Sequence, residues 1–139
     1  MSVFSIEQIP AEATLRLRRD ILYPDADIKS VLLDEDDKGL HYGLFYEGKL
    51  SGVVSLFDSG NGSWQFRKLA ISAELQGKKL GTAMISHLME ETKRLGGNRL
   101  WCNARLSATG FYIKHDFKTH GDEFEKGGIG YVVMEREVE

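Results

Sequence analysis

Apolar and polar positions alternate from the start of the chain. Val3, Ser5 and Glu7 face one way and Phe4, Ile6 and Gln8 the other, which predicts a strand over Val3–Ile9. Pro10 then opens a helix, because proline fits a first helical turn. Leu15, Leu17, Ile21 and Leu22 are its apolar side, and Tyr23-Pro24-Asp25 ends it, since the residue before proline avoids the helical region. The pattern weakens between Asp25 and Gly39. Ile28, Val31 and Leu32 make one helical turn there, and Asp34-Glu35-Asp36-Asp37 reads as loop.

From His41 onward the pattern is a β meander. Strands are predicted at His41–Glu47, Leu50–Phe57 and Trp64–Ile71, with a tight turn at Gly48-Lys49 and a hairpin at Asn61-Gly62. A turn over Ser72–Leu80 leads into a helix from Gly81 to Leu95. Met84, Ile85, Leu88, Met89 and Leu95 fall on one face, and His87, Glu90, Glu91 and Arg94 on the other. Gly96-Gly97 stops it, as a left-handed cap requires. Arg99–Ala104 reads as a buried strand. Ser107 caps a short helix carrying Ala108, Phe111, Tyr112 and His115 at i, i+3, i+4 and i+7. Phe117–Phe124 and Gly130–Val138 close the chain as an antiparallel pair joined across Glu125–Ile129.

This order predicts a mixed α/β fold. It is a mostly antiparallel sheet of about seven strands, with helices on both faces and one right-handed parallel β-α-β crossover at Trp64–Ala104. At 139 residues the chain is expected to form a single domain over 1–139.

Composition narrows the function classes. The net charge of −3 gives no general nucleic-acid footprint, and no apolar run approaches the ~20 residues of a membrane span. The first residues, from Met1, lack a basic stretch followed by a long apolar one, so no signal peptide is expected. Cys102, the single cysteine, cannot form an internal disulfide, which suits a cytoplasmic setting, and as a small mid-strand side chain it reads as core. No His, Cys, Asp or Glu pair shows metal-ligand spacing, so no metal is expected.

The chemistry concentrates after the third meander strand. Leu69-Ala70-Ile71 ends a strand, Gln76-Gly77-Lys78-Lys79-Leu80-Gly81-Thr82 turns, and an amphipathic helix begins. The first amides of a helix have no partner within it, and the dipole favours an anion there. Glycine lets backbone approach a phosphate closely, successive N–H groups can form an anion nest, and Lys78 and Lys79 add charge. An ordinary strand-to-helix turn with surface lysines has the same local look. The segment is neither a Walker A loop nor G-x-G-x-x-G.

Gln76-Gly77-Lys78-Lys79-Leu80-Gly81 resembles the acyl-CoA signature Q/R-x-x-G-x-G/A of the GCN5-related N-acetyltransferases (GNAT). Asn103, Ala108, Phe111, Tyr112 and Phe117 resemble that family's N…A-x-x-F-Y-x-x-x-G-F. The resemblance runs from about His41 to the chain's end. Two positions depart. Lys79 replaces the central glycine, where a lysine is unstrained at negative φ and strained at positive φ. Asp116 replaces the glycine before Phe117, and aspartate tolerates a left-handed turn.

The resemblance implies an acetyl-CoA-dependent N-acetyltransferase acting on a primary amine of a small-molecule or peptide acceptor. That chemistry needs a deprotonated amine, since an alkyl ammonium near pKa ~10 is not nucleophilic, a fixed donor for the oxyanion, and a proton for the thiolate of pKa ~8.5. By the same resemblance, Tyr112 gives that proton, although on position alone it reads as a core tyrosine. A backbone amide of Leu69–Ile71 holds the oxyanion. Asn103 orients the cofactor or caps a turn, and Phe111 packs in the core or lines the cofactor. Glu74, His41, His120, Glu123 and Glu125, or a water chain, remain open as the base. The first helix, Asp25–Gly39 and Glu125–Ile129 would build the acceptor pocket, with Asp34–Asp37 attracting a cationic amine. The alternatives are a non-catalytic acyl-CoA-binding sensor and a nucleotide- or nucleic-acid-directed protein. Neither a nucleic-acid nor a membrane partner is expected, and a homodimer would suit the family.

Overall fold

The computed structural model describes residues 3–139. The reading of the N-terminus as lacking a leader rests partly on Met1 and Ser2, which lie outside the described residues. Seven strands form one sheet in the order β1-β2-β3-β4-β5-β7-β6. They are β1 Phe4–Ile9, β2 Leu40–Tyr46, β3 Lys49–Gly60, β4 Ser63–Ile71, β5 Arg99–Arg105, β6 Lys118–Lys126 and β7 Ile129–Glu137. β4 and β5 pair in parallel, Ser63 opposite Arg99 and Gln65 opposite Trp101, while β1–β2, β2–β3, β5–β7 and β6–β7 pair antiparallel. This is the expected mixed sheet, with its parallel pair at the expected crossover.

The chain divides into two compact units, one of residues 3–57 and 67–87 and one of residues 58–66 and 88–139. The first unit holds β1, β2, most of β3, the end of β4 and the start of helix α2 (Leu80–Arg94). Its core is Val31, Tyr42, Leu44, Val53, Val54, Leu56, Ala70, Leu80, Met84 and Ile85. Gly52 of β3 is fixed by packing, since a Cβ there would lie 2.7 Å from Ile71 Cδ1.

The first helical segment departs from the expected amphipathic helix. It is a 3-10 turn at Ala11–Thr14, a single α turn α1 at Leu15–Leu17 and a π turn at Arg18–Leu22. The fully buried positions are Thr14 and Arg18, at i and i+4, and not the leucines. The reason is a buried ion pair. Arg18 Nη1 and Nη2 donate to the two Asp36 carboxylate oxygens at 2.8 and 2.9 Å, and also to Val31 O at 3.1 Å and Ser55 Oγ at 2.9 Å. Asp36 also accepts from the Leu33 amide at 3.0 Å. Burial alone would raise the Asp36 pKa. The Arg18 guanidinium and the Leu33 amide overcome that and hold it below its ordinary value.

The second unit holds β5, β6, β7, the end of α2 and the short helix α3 (Thr109–Lys114). α2 ends in a Schellman cap. Gly96 has φ 83 and its amide bonds Lys93 O, while the Gly97 amide bonds Thr92 O at 2.8 Å. The Asn61-Gly62 turn has both φ positive (55 and 80), the type I′ geometry that its sequence signals. β5 alternates in burial where a continuously buried strand was expected, because Trp101 and Asn103 point away from Leu100, Cys102 and Ala104. Ser107 is not a cap. A 3-10 turn at Leu106–Ala108 comes first and moves the cap position to Ala108. The β6–β7 connection is also tighter than Glu125–Ile129, because Gly127 and Gly128, both at positive φ, close it in two residues.

Candidate active site

In the first unit the predicted phosphate turn and the end of β4 come together. Gln76 Nε2 donates to Ile71 O at 2.9 Å, which ties the turn back to the Leu69–Ile71 strand end. A 3-10 turn at Ala73–Leu75 follows β4, and the Gln76 and Lys78 amides bond Ala73 O and Leu75 O. The Ala83 amide bonds Lys79 O at 3.2 Å, so Lys79 caps α2 with its own carbonyl. The amides of Leu80 and Gly81 then have no carbonyl one turn earlier inside the helix, and they open at the N-terminus of a 15-residue dipole.

Gly77 stands at φ 89, and no atom lies within 4 Å of where a Cβ would sit. Lys79 stands at φ 64, in the left-handed region. At the motif's central glycine position the lysine therefore adopts a glycine-like backbone, at about 1–2 kcal/mol of strain. Gln76, Gly77, Lys78 and Lys79 are exposed, while the Leu80 side chain is buried and leaves its backbone as the contacting part. An exposed, cationic, glycine-opened helix entry fits a polyphosphate. Asp116 also adopts the left-handed turn expected of it, at φ 66.

In the second unit Tyr112 is buried in an aromatic cluster. Its ring centroid lies 5.8 Å from Phe66, 5.2 Å from Phe111 and 5.7 Å from Phe117. Burial, with Cys102 as a second cause, pushes the phenol far above its ordinary pKa of 10.0, so it stays protonated throughout the neutral range. Phe111 is half-buried and also packs on His115 at 4.7 Å. Asn103 is exposed on β5 opposite Val133. Cys102 is 3% exposed and burial pushes its thiol up to about 12, so it is core and not a nucleophile.

Two expectations about the acceptor side change. His41 is not a free base. Its Nε2 lies 2.8 Å from the Asp36 carbonyl, which can only accept, so Nε2 carries a proton, and Nδ1 lies 2.6 Å from Ser55 Oγ. Nor is the acidic run a uniform attractor. Asp36 is buried against Arg18 and Glu35 pairs with Arg67, which leaves Asp34 and Asp37 exposed. His87, read as a surface residue, is half-buried with its ring 4.6 Å from Tyr42. Among the other candidate bases, Glu74 is exposed, and His120, Glu123 and Glu125 lie on the fully exposed β6.

Sequence reasoning did not bring Lys68 and Tyr23 together. Lys68 sits in mid-β4 at φ 59 and donates from Nζ to Tyr23 Oη at 2.6 Å. The two residues are 45 apart, and no local pattern links them.

A family model described as an acetyltransferase (GNAT) domain matches residues 18–138. The chain belongs to the GNAT acetyltransferases. As a GNAT member it is an acyltransferase, and the family's acyl donor is acetyl-CoA. It is 28% identical over 141 residues to the uncharacterised N-acetyltransferase YitI of Bacillus subtilis, covering 95% of each chain. Its GNAT fold is shared with an IAA acetyltransferase from Bacillus cereus at TM-score 0.79, with 22% identity and coverage of 96% and 99%. The fold also matches a GNAT family acetyltransferase from Elizabethkingia anophelis solved with acetyl-CoA bound, at TM-score 0.76, with 14% identity and 99% of each chain covered.

Proposed function

We propose that this GNAT chain works as one domain that moves an acetyl group from acetyl-CoA directly to a primary amine of a small-molecule or peptide acceptor. The observation that carries the reading is the entry to α2. Gly77 and Lys79 both hold the left-handed backbone that aims amides out of the helix, although lysine pays a strain penalty to do so. Strain of this kind persists where the surroundings over-determine it, and it clusters at functional sites.

When bound, acetyl-CoA supplies the activated acyl group. The Gln76–Thr82 turn holds its phosphates through backbone amides, with Lys78 and Lys79 adding charge. A backbone amide of Leu69–Ile71 fixes the acyl oxygen, and Asn103 and Phe111 steady the cofactor. Tyr112 holds the proton destined for the thiolate on its phenol oxygen. The single reduced cysteine suits a cytoplasmic enzyme.

Thermal unfolding tests the cofactor half of the reading. Acetyl-CoA and CoA at ~100 Kd are each expected to stabilise by roughly 2.7 kcal/mol and raise Tm by several degrees, with no shift from ATP. Lys79→Gly should retain that shift, since it keeps the backbone and removes the strain. Equal shifts with ATP and CoA would turn the reading into general nucleotide binding.

A further inference from the structure

Two side-chain pairs tie β4 to the segments expected to build the acceptor side. Arg67 Nη1 donates to Glu35 Oε1. One residue on, Lys68 Nζ donates to Tyr23 Oη and lies 4.7 Å from that ring's centroid. Tyr23 closes the π turn of the first helical segment. Lys68 directly precedes Leu69–Ile71, one residue from Leu69 and three from Ile71.

The charges around these pairs do not cancel evenly. Glu35 answers Arg67, and Asp36 answers Arg18. Among the described residues no salt bridge joins Lys68 to a carboxylate. An ammonium has three N–H donors and no acceptor. Tyr23 takes one from Lys68, and a half-buried cation is left facing its surroundings with the others. The backbone at this residue is also unusual. A strand residue sits near φ −120, and Lys68 stands at φ 59. That conformation is strained for a side chain with a Cβ, and here it breaks the strand's regular alternation at a lysine beside the proposed acyl-oxygen donors.

We propose that Lys68, held by Tyr23, binds an anionic oxygen group, a carboxylate or a phosphate monoester, carried by the acceptor amine. The proposal rests on the acetyl-transfer reading for the amine, and on Lys68 and Tyr23 alone for the anion. An α-amino acid carries its amine and carboxylate on one carbon. A carboxylate on Lys68 therefore leaves its amine close to Leu69–Ile71. This assignment reverses the expectation from Asp34–Asp37, because the uncompensated charge beside the strand end is positive.

The test compares acceptors with and without the anion, and Lys68→Met isolates the anion's part in any difference. One arm sets L-amino acids against the matching L-amino-acid amides, and the other sets phosphoethanolamine against ethanolamine. Each pair is assayed for acetylation and, by calorimetry, for binding to CoA-saturated protein, using the wild type, Lys68→Met and Lys68→Arg. In one arm the anionic member should have a KM, or a Kd, at least tenfold below its neutral partner. Lys68→Met should erase that preference, leaving the neutral acceptors and the acetyl-CoA Kd unchanged, and Lys68→Arg should keep most of it. Equal handling of anionic and neutral members in both arms, or a preference that survives Lys68→Met, overturns the site. If no amine is acetylated, calorimetry still decides. Lys68-dependent anion binding keeps the site while the acetyl-transfer reading falls, and equal binding overturns the site.

Discussion

Tyr112→Phe is expected to lower kcat by about 100-fold, the low end of what a positioned general acid contributes, and to leave the acetyl-CoA Kd unchanged. The substitution removes one oxygen from a ring that packs against Phe66, Phe111 and Phe117. The aromatic cluster should therefore stay intact, and Tm is the control that reports it. The two readings of Tyr112 separate on this experiment. A core tyrosine predicts unchanged kcat with a small change in Tm, and a proton donor predicts lost kcat with Tm preserved. Burial beside Cys102 keeps the phenol protonated at neutral pH and also makes it a weaker acid, so the transfer depends on the thiolate being expelled within hydrogen-bond reach of it.

Asp36→Asn should destabilise the protein by about 3–5 kcal/mol, because Arg18, wholly buried, loses the carboxylate that compensates its charge. In a domain of this size that is a fall in Tm of roughly 10 °C or more. Replacing both partners by apolar residues of similar volume, Arg18→Met with Asp36→Leu, should cost much less, since no buried charge is stranded. The pH dependence has a fixed sign. The Asp36 pKa is lowered on folding, so its stabilisation is complete above the ordinary value of 3.8 and disappears as the pH falls through the folded value. The stability of Asp36→Asn should be flatter than that of the wild type over that acid range. Chemical denaturation at neutral pH and at pH 3 measures both effects. Equal stability of Asp36→Asn and the wild type at neutral pH would mean that the pair contributes nothing net.

The same ion pair shows where the sequence stopped being legible. The meander, the Asn61-Gly62 hairpin, α2 and its glycine stop could all be read because alternation, turn chemistry and helical periodicity are local signals. The segment 11–22 follows a different rule. Its leucines suggested the buried face, but Thr14 and Arg18 are the residues inside, Thr14 bonded to the Ala11 carbonyl and Arg18 to a carboxylate 18 residues downstream. The hydrogen bonds that hold the His41 ring come from a carbonyl and a hydroxyl supplied by other elements. No pattern along the chain marks such partners.

The candidate site divides in the same way. The Gln76–Thr82 turn and Tyr112 carry motif spacing and could be named from the sequence. The left-handed backbone of Lys79 was posed there as a question of φ, and the fold answers it at φ 64. Lys68 could be read from the sequence only as part of a basic group with Arg67, Lys78 and Lys79 around the turn. A lysine in a strand reads as a solvated edge residue, and neither its positive φ nor its bond to Tyr23 can be seen until the chain is folded.

Catalytic transfer to an amine is read directly from the release of free CoA thiol on mixing the protein with acetyl-CoA and a panel of primary amines. The wild type should give amine-dependent thiol release, with one acetylated amine formed per thiol and the rate strongly reduced in Tyr112→Phe. Acetyl-CoA that binds and raises Tm, yet gives no amine-dependent thiol across the panel, would contradict catalytic transfer and make the chain an acyl-CoA-binding sensor on a GNAT fold.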